Sequence, residues 1–300
     1  MSKTRLIMLP ILFSFLFACQ QIDTMQASLK ETEILYTMPE ESEQHEGTWL
    51  QWPHPYQYGI EFRNSLDATW VAMTKELQSS EKVHIIAYDQ TEKDRIISLL
   101  NRENIPLQNI DFKLFETDDT WVRDNGPIYV RDKEGKLLIE DWGFNGWGNK
   151  IDDLSGFLIQ SEKCDKIPAK IAADQNRTLI DLNTEMINEG GSVEIDGHGS
   201  LMACKSSILN ENRNPGMTQL QAEIIFKKYL GVTNFIWLEG QAGLEITDQH
   251  IDGFARFGNS TTIVSMDRDD LLEFDVLPSD IDILFAATDK EGAPYTFLKL

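Results

Sequence analysis

Between Gly47 and Ala287, short apolar and β-branched runs alternate with single helices at 3.6-residue spacing. That alternation constrains the chain more than any other feature. Short apolar runs bounded by turn formers predict strands, and apolar residues recurring every third or fourth position predict helices. Gly47–Pro53 reads as a strand entering a turn, Val83–Tyr88 as a buried strand, and Phe112–Phe115, Pro127–Arg131 and Lys136–Asp141 as further strands. In the second half, Thr178–Asp181, Gly191–Ile195, Ser200–Ser206 and Asn234–Leu238 read as strands, and Phe254–Phe257 pairs with Thr261–Val264 around Gly258 and Asn259. Helices are predicted around Phe62, Leu66, Trp70, Met73 and Leu77, around Ile96, Leu99 and Leu100, over Gln219–Leu230, and over Ser279–Ala287. Strands interleaved with single helices predict a mixed α/β architecture. No linker-like break interrupts residues 35–300, which read as one domain.

The 300-residue chain is 41% hydrophobic, enough for a buried core, and carries 49 acidic against 27 basic side chains for a net charge of -22. Such a surface repels phosphate backbones and argues against nucleic-acid binding, while attracting cationic small molecules or basic peptides.

At the N-terminus, Lys3 and Arg5 precede an apolar run from Leu6 to Phe17. That is the pattern of a secretory signal, and the run is shorter than the roughly 20 residues of a membrane span. It ends in Leu16-Phe17-Ala18-Cys19, which resembles the bacterial lipobox. Residues 1–18 are then a signal peptide, Cys19 a lipid anchor, and 19–34 a polar tether to the cell envelope, with the outer membrane as the expected location. Of the other two cysteines, Cys164 and Cys204, neither has metal-ligand spacing to another Cys or His; the two could pair with each other in an oxidising compartment.

Four segments set polar residues beside glycines or strand ends. They are Asp118–Pro127 (Asp-Asp-Thr-Trp-Val-Arg-Asp-Asn-Gly-Pro), Asp141–Gly148 (Asp-Trp-Gly-Phe-Asn-Gly-Trp-Gly), Asn188–Ser192 (Asn-Glu-Gly-Gly-Ser) and Thr247–Asp252 (Thr-Asp-Gln-His-Ile-Asp). Each alone is compatible with an ordinary turn. On an extended segment His250 and Asp252 would point the same way and enter one pocket.

Taken together with Met38-Pro39-Glu40, His45–Pro53 and Leu209–Pro215, these segments resemble, in consistent order over residues 35–300, the agmatine deiminase and Porphyromonas-type peptidylarginine deiminase family. The resemblance implies a pentein-type α/β propeller of strand-rich modules around a pseudo-fivefold axis. It further implies that Asp124 and Asp252 bind a guanidinium, that His250 is the general acid and base, that Glu189 holds His250, and that Trp121 walls the pocket. A planar, permanently charged fork suits paired carboxylate acceptors. In the family reaction a thiolate attacks the guanidinium carbon, ammonia leaves, and water releases a ureido product. The substrate's own charge activates its carbon, so neither a metal nor another cofactor is implied. Agmatine, giving N-carbamoylputrescine and ammonia, is the expected substrate, with an arginine peptide as the alternative, and a homodimer is expected at family level.

Two departures stand out. The family usually has glycine where Gln249 stands. Its nucleophilic cysteine lies in a glycine-rich segment near the C-terminus, which is not found before Leu300, so the last module is expected to be incomplete or missing and the chain inactive as written. A surface-tethered guanidinium-binding protein without catalysis is the reading from another class.

Overall fold

The computed structural model describes residues 27–151, 156 and 158–300. The signal run and Cys19 lie outside the described residues, as does the first part of the tether. Residues 27–31 form a helical turn, and Thr37 bridges Arg131, stitching the start of the domain to the second sheet.

The described strands form four three-stranded sheets. The first holds β1 (Gly47–Gln51), β2 (Lys82–Ala87) and β3 (Ile110–Leu114), all parallel and joined by α1 (Pro55–Leu77) and α2 (Gln90–Arg102). Parallel neighbours need such crossovers. Helix α2 starts where Asp89 accepts from the Glu92 amide, and it buries Ile96 and Leu100 against the sheet. The chain then passes through a short helix, α3 (Val122–Asn125), into the second sheet: β4 (Ile128–Arg131) antiparallel to β5 (Leu137–Gly143), which runs parallel to β6 (Leu179–Ile187) across α4 (Ile167–Asp174).

The third sheet repeats that pattern. β7 (Val193–Ile195) is antiparallel to β8 (Ser200–Cys204), which is parallel to β9 (Asn234–Leu238) across α5 (Lys205–Ile208) and α6 (Gln219–Leu230). So does the fourth: β10 (Ala255–Asn259) antiparallel to β11 (Thr262–Ser265), then parallel to β12 (Thr296–Lys299) across α7 (Arg268–Glu273) and α8 (Pro278–Phe285). The mixed α/β class agrees with the sequence reading, and among the described residues no sheet closes on itself.

Helix α6 has the clearest local logic. Thr218 and Gln221 form a reciprocal capping box, and Gly231 at φ +77° ends the helix in the left-handed conformation. Its buried face, Ala222, Phe226, Tyr229 and Leu230, fills a core shared by the second and third sheets with Trp142, Leu182, Leu201 and Trp237. A second core, with Met202, Ile236, Ile263, Ile281 and Leu284, joins the third and fourth sheets.

Two expectations need correction. Gly191–Ile195 is not strand throughout, because Gly190–Ser192 is a 3-10 turn and β7 begins at Val193. Cys164 and Cys204 do not pair; both are free and buried in separate cores.

Candidate active site

The four polar segments meet around Gly191. A Cβ placed on that glycine would lie 2.6 Å from His250 Nδ1, 2.7 Å from Asp124 Oδ1 and 2.8 Å from Asp252 Oδ2. Three side chains separated by up to 128 positions in sequence therefore converge over one bare Cα.

Each is aimed by its local backbone. Asp124 sits in α3, whose amides are turned by the Trp121 carbonyl. Its Oδ1 accepts from the Gly191 amide at 3.1 Å and its Oδ2 from Trp147 Nε1 at 3.0 Å. Trp147 lies in a left-handed turn: Gly146, Trp147, Gly148 and Asn149 all have positive φ, from +53° to +89°. A bulky residue there is unfavourable unless its surroundings enforce it. Asn145 enforces it, its Oδ1 accepting from the Gly148 amide at 2.8 Å while its carbonyl accepts from Asn149 N.

His250 and Asp252 converge differently from expectation. His250 has extended backbone, but Ile251–Gly253 is a 3-10 turn, so the tight turn rather than strand alternation brings the two side chains together. His250 Nε2 donates to Glu189 Oε2 at 2.8 Å, since a carboxylate can only accept, and Nδ1 faces Asp124 Oδ1 at 3.5 Å. Glu189 follows β6 and is fully buried.

Burial works against charge on the imidazole, but the Glu189 hydrogen bond and the charges of Asp124 and Asp252 outweigh it and hold His250 above its ordinary value. Burial pushes Asp124 up, and neighbouring Glu189 and Asp252 add to that, against His250 and Trp147. The site is thus a crowded set of carboxylates, and a cation placed among them would offset both effects.

Trp121 is 56% exposed at the start of α3. The indole that hydrogen-bonds the acidic cluster is that of Trp147.

The sequence reading did not single out four charged residues that support the cluster. Arg213 pairs with Glu189 and Asp248. Arg123 Nε lies 3.3 Å from Asp252 Oδ2, while its Nη2 donates to Glu194 at 2.7 Å. Arg123, Glu194 and Gly190 also line a neighbouring cavity of about 560 Å³, with Glu41 and Trp49 among its other walls. Arg123, Asp248 and Arg213 lay within segments already noted and Glu194 within the strand predicted over Gly191–Ile195, but spacing alone does not assign such partners.

Neither described cysteine belongs to this cluster. Burial pushes the Cys164 thiol up to about 12 and raises Cys204 further still. Thiolate chemistry at neutral pH requires the opposite shift.

The chain is similar to known proteins along most of its length. Residues 37–300 match the family model for Porphyromonas-type peptidyl-arginine deiminase. The agmatine deiminase of Pseudomonas aeruginosa (strain UCBPP-PA14) is 33% identical over 220 residues, covering 73% of this chain and 57% of that protein. A C. jejuni agmatine deiminase, solved with substrate bound, superposes with a TM-score of 0.70 at 28% identity, covering 89% of this chain and 74% of that one. The agmatine deiminase of Enterococcus faecalis superposes with a TM-score of 0.73 at 24% identity over 88% of this chain and 70% of that one, and shares the fold. The match over residues 37–300 and the identity to the Pseudomonas protein place this chain in the Porphyromonas-type peptidyl-arginine deiminase family, a family of C–N hydrolases.

Proposed function

We propose that the Gly191 centre binds the guanidinium of agmatine and serves its hydrolysis to N-carbamoylputrescine and ammonia. The observation that carries this reading is the convergence of Asp124 Oδ1, Asp252 Oδ2 and His250 Nδ1 over one glycine. Two carboxylates accept the donor fork, and the imidazole beside them exchanges protons with the leaving nitrogen and the incoming water. Trp147 holds the first carboxylate, and Glu189 holds the imidazole. The relatives named for agmatine support this substrate over an arginine peptide.

Calorimetry of the purified chain with agmatine, putrescine and a peptide ending in arginine tests the reading. Agmatine should bind and putrescine, which lacks the guanidinium, should bind far more weakly. Equal heats for the two amines would refute guanidinium recognition, and preference for the peptide would favour peptidylarginine as substrate.

Binding without turnover is the second reading for the 300-residue chain. The buried, proton-retaining thiols of Cys164 and Cys204 favour it, since neither can act as the nucleophile. Ammonia release from agmatine by this chain would exclude it.

For the fold, the antiparallel-then-parallel order repeated in the second, third and fourth sheets supports modules set about a pseudo-fivefold axis. Envelope anchoring through Cys19 rests on the run from Lys3 to Cys19, and incorporation of labelled palmitate, lost in Cys19→Ala, would test it. A homodimer rests on the family resemblance, and sedimentation would test it.

A further inference from the structure

The side chain of Arg213 is fully buried, as is that of Glu189 opposite it. Its Nε donates to both Glu189 oxygens at 2.8 and 3.0 Å. Nη1 donates to Asp248 Oδ2 at 2.5 Å and Asn212 Oδ1 at 3.1 Å, and Nη2 to the Thr247 carbonyl at 3.0 Å. One guanidinium thus ties the residue that holds the imidazole to the two residues that lead the backbone into His250. Burying a cation this deeply is unfavourable unless its donors are matched, and here all three nitrogens of the planar fork donate to acceptors.

The loop carrying Arg213 is itself fixed. Asn214 Nδ2 donates to the carbonyls of Ile187 and Ile208, and its Oδ1 accepts from Ile187 N, at the strand end just before Glu189. The Asn212 carbonyl accepts from Asn145 Nδ2, at the base of the turn that presents Trp147. The charged groups facing Arg213 are Glu189 and Asp248, with Lys150 on the far side of Asp248 at 2.7 Å. Those facing His250 are Glu189, Asp124 and Asp252.

Building on the guanidinium-binding reading, we propose that Arg213 is the positioning residue of this centre. It fixes the Glu189 carboxylate, and through it both the orientation and the proton affinity of the His250 ring. Arg213 touches no reacting atom in this role. Its fork, rather than its charge alone, holds the geometry, so lysine is not an equivalent.

The test uses the full chain and the variants Arg213→Gln and Arg213→Lys, with folding checked by circular dichroism. Nitrogen NMR follows the His250 ring across pH, assigned by the signal lost in His250→Asn. Arg213→Lys keeps the charge but loosens Glu189, so it should lose the downfield Nε2 proton resonance that reports the bond to Glu189, and the His250 midpoint should fall toward the ordinary histidine value. In Arg213→Gln the lost cation and the lost Glu189 bond move the midpoint in opposite directions, so the readout there is the Nε2 resonance, which should broaden or vanish. An unchanged Nε2 resonance in either folded variant overturns the proposal. Should the Gln variant not fold, the Lys resonance decides alone. Agmatine calorimetry on the same samples keeps the two claims apart: a wild type that ignores agmatine sinks the substrate reading, while the imidazole signals still report on Arg213.

Discussion

Gln249 shows at the scale of one residue why a family pattern departs where it does. Asp248 and Gln249 have φ of +61° and +69°, a conformation natural for glycine and strained for side chains. The family's usual glycine at this position has a plain backbone reason. Gln249 is also buried with its amide oxygen lacking a partner, although Nε2 donates to the Asp275 carbonyl at 3.2 Å. Gln249→Gly should relieve backbone strain of about 1 kcal/mol and raise the melting temperature by ~2 °C. A thermal melt showing a lower midpoint would mean that the Asp275 contact outweighs the strain. The polar segments drew attention to His250, Asp124, Asp252 and Glu189, but only the family resemblance assigned them, and the structure brings all four together. The sequence did not disclose Arg213 or Trp147 as partners, because a hydrogen bond between positions 213 and 189 leaves no periodic trace.

Among the elements, the apolar runs were the legible part. Val83–Tyr88, Gln219–Leu230 and Asn234–Leu238 announce themselves because burial on one face or both selects their side chains. The turns that build the site were not legible. Residues 122–125, 146–149, 190–192 and 251–253 are too short for periodicity, and long-range polar contacts decide their shape. β12, lying beyond the last predicted helix, was missed as well. Strand β5 carries a cost that its apolar appearance hides. Asp141 is buried, its Oδ1 has no partner, and burial together with Asp165 and Asp181 pushes it up to about 7. One pKa unit is worth about 1.4 kcal/mol, so even part of this shift matters above neutrality. Asp141→Asn should melt several degrees higher than wild type at pH 8 and show no such gain at pH 5. Equal gains at both would point to packing rather than charge.

Across the whole molecule the raised carboxyls act in one direction. Burial pushes Asp119 up to about 6, and Asp141 and Glu194 up to about 7, the last despite Arg256 and Arg123 beside it. Their folded values lie above their unfolded values near 4, so the folded chain binds more protons in between. The stability they contribute is complete below the unfolded values and is lost as pH rises through 6 to 7. His250, also raised, loses its contribution the same way at higher pH. A net charge of -22 adds self-repulsion that grows as carboxyls ionise. Against this, Asp248, which burial pushes up but which Lys150, the Gly243 amide, Arg213 and Asn212 together hold below its usual range, loses its stabilising contribution only in stronger acid. Scanning calorimetry should therefore find the highest melting temperature below neutrality, with a fall from pH 6 to pH 8; a rise over that interval would contradict the assignment.

The bare Cα at position 191 has a consequence of its own. A single methyl group at this position would press against all three polar atoms at once. Any side chain there would therefore push the imidazole and both carboxylates apart, so a residue with no functional group sets whether the surrounding ones can stand together at all.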